Sequence, residues 1–263
     1  MVRDVFDISG RVIAITGGLG QLGKQFSSEL VRRKAKVVAL DVTAPARTRL
    51  SNPWALHCDI TSERSLRECL QKIRDRWGVP HGLINNAALD APPNAPPADV
   101  AAFETYSAET WRRVIDVNLT GSFLACQVIG SAMAKERRGS IINISSIYGI
   151  LSPDQRIYEY RERDGAPFKK PIAYSASKAG ILNLSRYLAT YWAKQGVRVN
   201  TLTFGGVENR QDPRFIEGYR ARVPLDRMAA AHEYNGAVVF LLSEAASYMT
   251  GSNVVLDGGW SAW

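Results

Sequence analysis

Arg11-Val-Ile-Ala-Ile-Thr-Gly-Gly-Leu-Gly-Gln-Leu-Gly23 is the stretch that decides the fold. Arg11 to Ile15 is a short β-branched run of the kind that forms a buried strand. It runs directly into a glycine-rich turn, after which Leu22, Phe26 and Leu30 recur every four residues as a helical stripe. The order is strand, glycine turn, helix. Such a turn lets the backbone approach a pyrophosphate, and the helix N-terminus supplies N–H donors and the positive end of its dipole. Lys36 to Asp41 reads as the second strand, and Asp41 falls 18 residues after Gly23. That is close to the roughly 20 at which an acid meets an adenosine ribose hydroxyl. The plainer alternative is an ordinary βαβ turn with a surface aspartate.

The pattern continues outward. Trp54 to Cys58 reads as a strand ending at Asp59, and Ser62 to Trp77 as a helix with Leu66, Leu70 and Ile73 on one face. Gly82-Leu-Ile-Asn-Asn-Ala-Ala88 is a strand ending in small residues, which leave room for a ligand. Thr110 to Glu136 is a long helix, and Gly139 to Ser146 a strand that carries a hydroxyl to the same sheet edge. A helix over Pro171 to Gln195, a strand over Val197 to Thr203, a helix over Ala230 to Ser243 and a strand over Val254 to Leu256 complete the series. Strands alternating with helices predict a doubly wound α/β fold, with a parallel sheet of about seven strands and helices on both faces. The whole chain, 1–263, is expected to be one such domain.

Tyr174 and Lys178 stand four apart in the last long helix, so both project from one face. An ammonium there favours the ionised form of the phenol, which can then exchange a proton during a redox step.

Composition limits the alternatives. The 263 residues are 46% hydrophobic, with no uninterrupted apolar run of membrane-spanning length and no secretory h-region at the N-terminus. Cys58, Cys69 and Cys126 are odd in number and lack metal or redox spacing, as expected of a cytoplasmic protein, and His57, His81 and His232 form no ligand pattern. No metal site is expected. The net charge of +8 admits a nucleic-acid binder, but the basic residues are dispersed without a recognition helix. A non-catalytic dinucleotide-binding regulator is a further alternative.

Thr16-Gly17, Asn85-Asn86-Ala87-Ala88, Asn118, Ser146, Tyr174, Lys178 and Gly251-Ser-Asn-Val-Val-Leu-Asp-Gly-Gly259 together resemble the short-chain dehydrogenases/reductases, over nearly the whole chain. The resemblance implies an oxidoreductase that moves a hydride between NAD(H) and an alcohol or ketone. Tyr174 would be the general acid–base and Lys178 would lower its pKa and bind the nicotinamide ribose. Ser146, rather than Ser145, would hold the substrate oxygen, and Asn118 a relay water. Cofactor contacts are implied for Gly17, Gly20, Gln21, Leu22, Gly23, Asp59, Ile60, Asn86, Ala87, Gly205, Val207 and Asn209 as well as Tyr174 and Lys178. Asp41 would accept from the adenosine ribose and repel a 2′-phosphate, so NAD is expected over NADP, although Arg47 and Arg49 are near in sequence. A homotetramer or homodimer is expected, the apolar tail Trp260-Ser-Ala-Trp263 being one reason.

Two departures stand out. The sixth position of the glycine motif is Gln21, with glycine instead at the fifth, Gly20; that spacing resembles the longer members acting on nucleotide sugars, whose extra C-terminal substrate domain this chain is too short to hold. After the sixth strand the usual proline-glycine is Phe204-Gly205-Gly206, and Asn209 aligns with the threonine that often meets the carboxamide.

Three segments leave the sheet where substrate must enter: 90–107, 151–170 and 205–226. The first contains Pro92, Pro93, Pro96 and Pro97 and reads as a stiff loop. The second lengthens the Ser146–Tyr174 interval to 28 residues and is expected to lack regular structure. Its Arg156, Arg161 and Arg163 are candidate contacts for a phosphorylated or acidic group, the alternative being a solvated surface. The third is expected to be a mobile lid. With Glu159-Tyr160 and Pro171-Ile-Ala-Tyr174, the insertion resembles a subgroup tied to bacterial surface-sugar and flagellin-glycan synthesis, which implies a polar, sugar-like or phosphorylated substrate.

Overall fold

A computed structural model describes residues 4–45, 51–91 and 100–263. Seven strands form one sheet: β1 (Val12–Thr16), β2 (Lys36–Asp41), β3 (Trp54–His57), β4 (Gly82–Asn85), β5 (Gly139–Ser146), β6 (Val197–Phe204) and β7 (Asn253–Leu256). All pair in parallel, in the order β3-β2-β1-β4-β5-β6-β7. The chain winds from β1 to one edge and then returns beside β1 with β4, so a crevice opens at their carboxyl ends. Every residue of β1 is buried, because helices cover both faces.

Among the described residues, the helices longer than one turn are α1 (Gln21–Arg32), α2 (Glu63–Trp77), α3 (Ala108–Lys135), α4 (Glu159–Arg163), α5 (Ile172–Trp192), α6 (Pro213–Arg220) and α7 (Asn235–Leu242). Phe26 and Leu30 of α1 and Val238 and Leu241 of α7 pack on one face of the sheet. Leu66 and Ile73 of α2, Ile129 and Met133 of α3, and Leu188 and Trp192 of α5 pack on the other.

The departures from expectation have local causes. The last helical residues before β6, Ala193–Gln195, tighten into a 3-10 turn, because Gly196 ends the helix at φ 70°. The helix over Ala230 to Ser243 likewise begins as a 3-10 turn, Ala231–Tyr234. α3 contains two π turns, Asp116–Thr120 and Cys126–Gly130. By length and composition α3 could cross a membrane (mean hydropathy 1.3), yet 56% of that stretch is buried within the protein.

A string of buried polar side chains ties this face together. Asn85 Nδ2 donates to Asn143 Oδ1 (2.7 Å), Asn143 Nδ2 to Ser185 Oγ (2.9 Å), and Thr201 Oγ1 to Ser185 Oγ (2.7 Å). It links β4, β5, β6 and α5.

The 151–170 segment is not irregular, as expected, but folds. Gln155–Tyr158 forms a 3-10 turn that continues into α4. Alternation and helical stripes are absent from so short an insertion, and its order comes from packing on a distant segment. Tyr158 lies between Phe168 (4.6 Å) and Phe215 of α6 (5.5 Å). Arg214 reaches both oxygens of Asp164 (3.0 and 2.7 Å), and Arg222 bonds Asp154. The third segment is thereby tied to the second through α6. The four prolines at 92, 93, 96 and 97, with Arg47 and Arg49, lie outside the described residues.

Candidate functional site

The crevice at the carboxyl edge holds a cleft of about 400 Å³ that brings Gln21, Leu22, Asn86, Ser146, Tyr174, Lys178, Gly205, Val207 and Asn209 together. Its cofactor side is built by the glycine turn. Gly17 lies at φ 62°, and a Cβ there would stand 2.8 Å from the Ala87 Cα. At Gly23 a Cβ would stand 2.2 Å from the Gly17 carbonyl oxygen, so only glycine permits the turn to fold against its own helix. Gly20 is the N-cap of α1, with no side-chain cap and no acid in the first turn. The next helix is different: Ser62 caps the N–H of Ser65, and Glu63 occupies the first turn of α2. The bare N-terminus of α1 keeps its donors for an external anion. Gln21, at the departed sixth position, instead spans the cleft and donates to Glu208 O (3.2 Å).

Asn86 clamps this turn. Its Nδ2 donates to Thr16 O (3.2 Å) and Gly17 O (3.0 Å), while Thr16 Oγ1 accepts from the Asn86 and Ala87 N–H groups. Asp41 is buried at the end of β2, where its carboxylate accepts from Leu19 N (3.0 Å), Thr43 N (2.9 Å) and Thr43 Oγ1 (2.7 Å). Asp59 is exposed and caps Thr61, whereas Ile60 is buried under α3. The close-approach glycines, the uncapped helix end and an oriented Asp41 fit a dinucleotide.

On the other side, strand alternation separates the two serines. Ser145 Oγ donates to Lys178 O (2.8 Å) and is thereby spent on packing. Ser146 Oγ accepts from Tyr148 N (3.2 Å), and Ser146 and Tyr174 line the same cleft. Burial, and then the charge of Asp90, push the phenol well above its ordinary value, while the nearby Ser146 hydroxyl opposes them. The shift is therefore opposite to the lowering expected from Lys178. The reason is desolvation, which also lowers Lys178 itself to about 8. Lys178 Nζ donates to Ile144 O (2.9 Å) and lies 5.7 Å from the Tyr174 ring centre.

Asn118 stands in the first π turn of α3 and is fully engaged. It accepts from Leu89 N (2.7 Å) and donates to Leu89 O (3.0 Å) and Ser177 Oγ (3.0 Å). Ser177 in turn donates to Tyr174 O (2.7 Å).

Arg156, Arg161 and Arg163 are not brought to the cleft. Arg156 chelates Asp154, Arg161 donates to Ala166 O (3.2 Å), and Arg163 is exposed. The insertion instead contributes Tyr158 and Lys170. Asp90, Tyr148 and Tyr219 also line the cleft without a motif to announce them. Lys170 does have one sequence signal: it precedes Tyr174 by the same four residues by which Lys178 follows it.

Residues 20–261 match the profile of a family described as enoyl-(acyl carrier protein) reductase. The post-translational flagellin modification protein A of Campylobacter coli is 29% identical over 96% of this chain and 99% of its own length. The D-threitol dehydrogenase of Mycolicibacterium smegmatis is 28% identical over 97% and 95%. A short-chain dehydrogenase of Leptospira borgpetersenii, solved with bound NAD+, is 31% identical with a TM-score of 0.86, covering 99% of this chain and 97% of its own. With the parallel sheet and the glycine turn, these likenesses establish that the chain belongs to the short-chain dehydrogenase/reductase family of oxidoreductases, which use a nicotinamide dinucleotide.

Proposed function

We propose that this protein transfers a hydride between NAD(H) and a secondary alcohol or ketone on a polar small molecule. The observation that carries the reading is the meeting of Ser146, Tyr174 and Lys178 in one cleft beside a dinucleotide-shaped turn. When bound, the nicotinamide supplies or accepts the hydride. The chain's residues do the rest. Ser146 donates to the substrate oxygen and aligns it with the Tyr174 phenol. Tyr174 gives its proton to that oxygen in reduction and takes it in oxidation. Lys178 spends one N–H on Ile144 O and keeps two for ribose hydroxyls and for favouring the phenolate. Asn118 acts from outside the cleft, fixing Ser177 and with it the first turn of α5; a water beside it would relay the proton from Lys178 to solvent.

Asp41 supports NAD over NADP, because a carboxylate accepts from a ribose diol and repels a phosphate. Contacts from Gly17, Gly20, Gln21, Leu22, Gly23, Asp59, Ile60, Asn86, Ala87, Gly205, Val207 and Asn209 complete the cofactor set in this reading. The chain then works as one cofactor-binding unit whose segments 90–107, 151–170 and 205–226 enclose the substrate.

The same reading makes it a homodimer or homotetramer. Trp260 folds back on Tyr219 (4.6 Å) and is buried. Trp263 is 81% exposed, and Tyr187 and Tyr191 form an exposed stacked pair on α5.

The test is Tyr174→Phe. A positioned acid–base is worth about 10²–10⁴-fold. The variant should lose at least that order of kcat with NADH and a panel of hydroxy ketones, while NADH fluorescence titration gives an unchanged Kd. Retention of most of the wild-type kcat would refute the assignment.

A further inference from the structure

We propose that Asp90 and Lys170 are the specificity element of this site, with Asp90 accepting from the hydroxyl next to the reacting carbon of a neutral vicinal diol or α-hydroxy ketone. The proposal rests on Ser146, Tyr174 and Lys178 being the reaction centre. Lys170 is a buried cation, its side chain only 5% exposed. It lies at the end of the insertion, 4.9 Å from the Tyr174 ring centre and 5.9 Å from that of Tyr148. Its Nζ donates to Asp90 Oδ1 (2.5 Å) and Ala91 O (2.9 Å). Asp90 therefore has a fixed position beside the reacting phenol, close enough for its charge to be felt there.

The pair is asymmetric. Both line the cleft, but Lys170 is almost wholly covered, whereas the Asp90 side chain remains 45% exposed. Among the described residues, the bonds from Lys170 Nζ and Ala91 N (2.8 Å) both fall on Oδ1, which leaves Oδ2 for a ligand. A carboxylate held in this way is an acceptor for hydroxyls and a deterrent to a second anion. The charges lining the cleft are Asp90, Lys170 and Lys178. The first two neutralise each other and the third is assigned to ribose, so an anionic substrate group finds no cation among the described lining residues. Two further hydroxyls, Tyr148 and Tyr158, lie 3.3 Å apart at the same wall, and burial keeps both protonated. One of the two can donate onward. This wall suits a neutral molecule carrying several hydroxyls.

The experiment compares kcat/KM for butane-2,3-diol, butan-2-ol and 3-hydroxybutyrate in wild type, Asp90→Asn and Lys170→Met. A hydrogen bond to a charged acceptor discriminates by about 10–100-fold. The wild type should favour the diol over butan-2-ol by that factor and reject the acid. Asp90→Asn should bring the diol/butan-2-ol ratio near one. Lys170→Met should lower the same ratio by releasing Asp90. Equal loss on both alcohols, or a ratio that survives Asp90→Asn, overturns the proposal. A second arm measures diol binding by calorimetry to the NAD-saturated Tyr174→Phe enzyme, with and without Asp90→Asn. Absence of turnover in wild type would sink the hydride-transfer reading, and this arm would still decide the pair. Binding weakened about tenfold or more by Asp90→Asn supports it, and unchanged binding overturns it.

Discussion

Along β1, β2 and β4 the cleft is bounded by the glycine turn: Gly17 pressed against Ala87, an uncapped helix N-terminus at Gly20, and Asn86 holding two carbonyls of the turn. Along β5 and β6 it is lined by side chains that depend on packing far from the motif, with Tyr158 wedged between Phe168 and Phe215 and Lys170 held by Asp90. The first surface is fixed by local geometry. The second exists only when 151–170 and 205–226 dock on each other. Disturbing the docking should therefore alter substrate use while sparing dinucleotide binding.

The largest effect expected from that difference is on Phe168→Ala. Truncating a buried aromatic costs about 3–5 kcal/mol where the site cannot collapse. Phe168 is fully buried in the third apolar cluster, which is separate from the two beneath the sheet. Denaturant titration should show a destabilisation at the lower end of that range, and KM for alcohol should rise while the NADH Kd stays put. A parallel loss of NADH affinity would mean that the two surfaces are not independent.

Asp41→Ala probes the opposite surface. Losing a charged acceptor for the ribose is worth about 10–100-fold in cofactor preference. The ratio of kcat/KM for NAD over NADP should fall by that factor, with alcohol KM unaffected. A wild-type preference for NADP would sink the assignment of Asp41.

Lys178 stands where the surfaces meet, and its titration sharpens the boundary. Burial lowers it to about 8. Being depressed below its unfolded value, it pays the full desolvation penalty of the charged form below pH 8, a penalty relieved as pH rises. The proposed reaction runs the other way, since the ammonium it assigns to ribose and phenol is lost above about 8. NADH affinity should therefore weaken as pH rises through 8, and Lys178→Met should show weaker binding with no such inflection.

The smallest effect lies at the amino edge of the sheet, remote from both surfaces. His81 Nδ1 accepts from Val12 N (3.1 Å), and burial, helped by Arg138, Arg11 and Lys36, lowers the ring to about 4. The unfolded chain binds a proton there that the folded one excludes, so stability is lost as pH falls from about 6.5 to about 4. Because the ring is half-exposed, solvent screening limits the loss to about 1 kcal/mol. His81→Asn should flatten that part of the acid-denaturation curve without changing kcat.

What could be read from the chain divides along the same line. The positions of Gly17, Gly23, Asp41, Ser146, Tyr174 and Lys178 are legible because they depend on neighbours a few residues away, as strand, turn and helix positions. Asp90 and Lys170 are not, since they lie 80 residues apart and meet only through tertiary packing. The arginines of the insertion mislead for a related reason. Their charge is visible in the sequence, but its local use is not: Arg156 turns back on Asp154 two residues away and Arg161 on the Ala166 carbonyl, so neither reaches the cleft. The π turns of α3 are invisible too, because nothing in Asp116-Val-Asn-Leu-Thr120 distinguishes a wider turn from an ordinary one.

The buried string Asn85–Asn143–Ser185–Thr201 bears on how accurately the phenol is placed. An apolar helix lying on an apolar sheet can slide by a fraction of a turn, since one methyl contact substitutes for another. Amide and hydroxyl pairs admit a single alignment, because a displaced donor is left dry and unmatched. Ser185 sits on the same rod as Tyr174 and Lys178, two turns beyond the lysine. It works as an indexing pin: by pegging α5 to β5 and β6 at one notch, it translates the phase of a 21-residue helix into the ångström position of a hydroxyl at its far end.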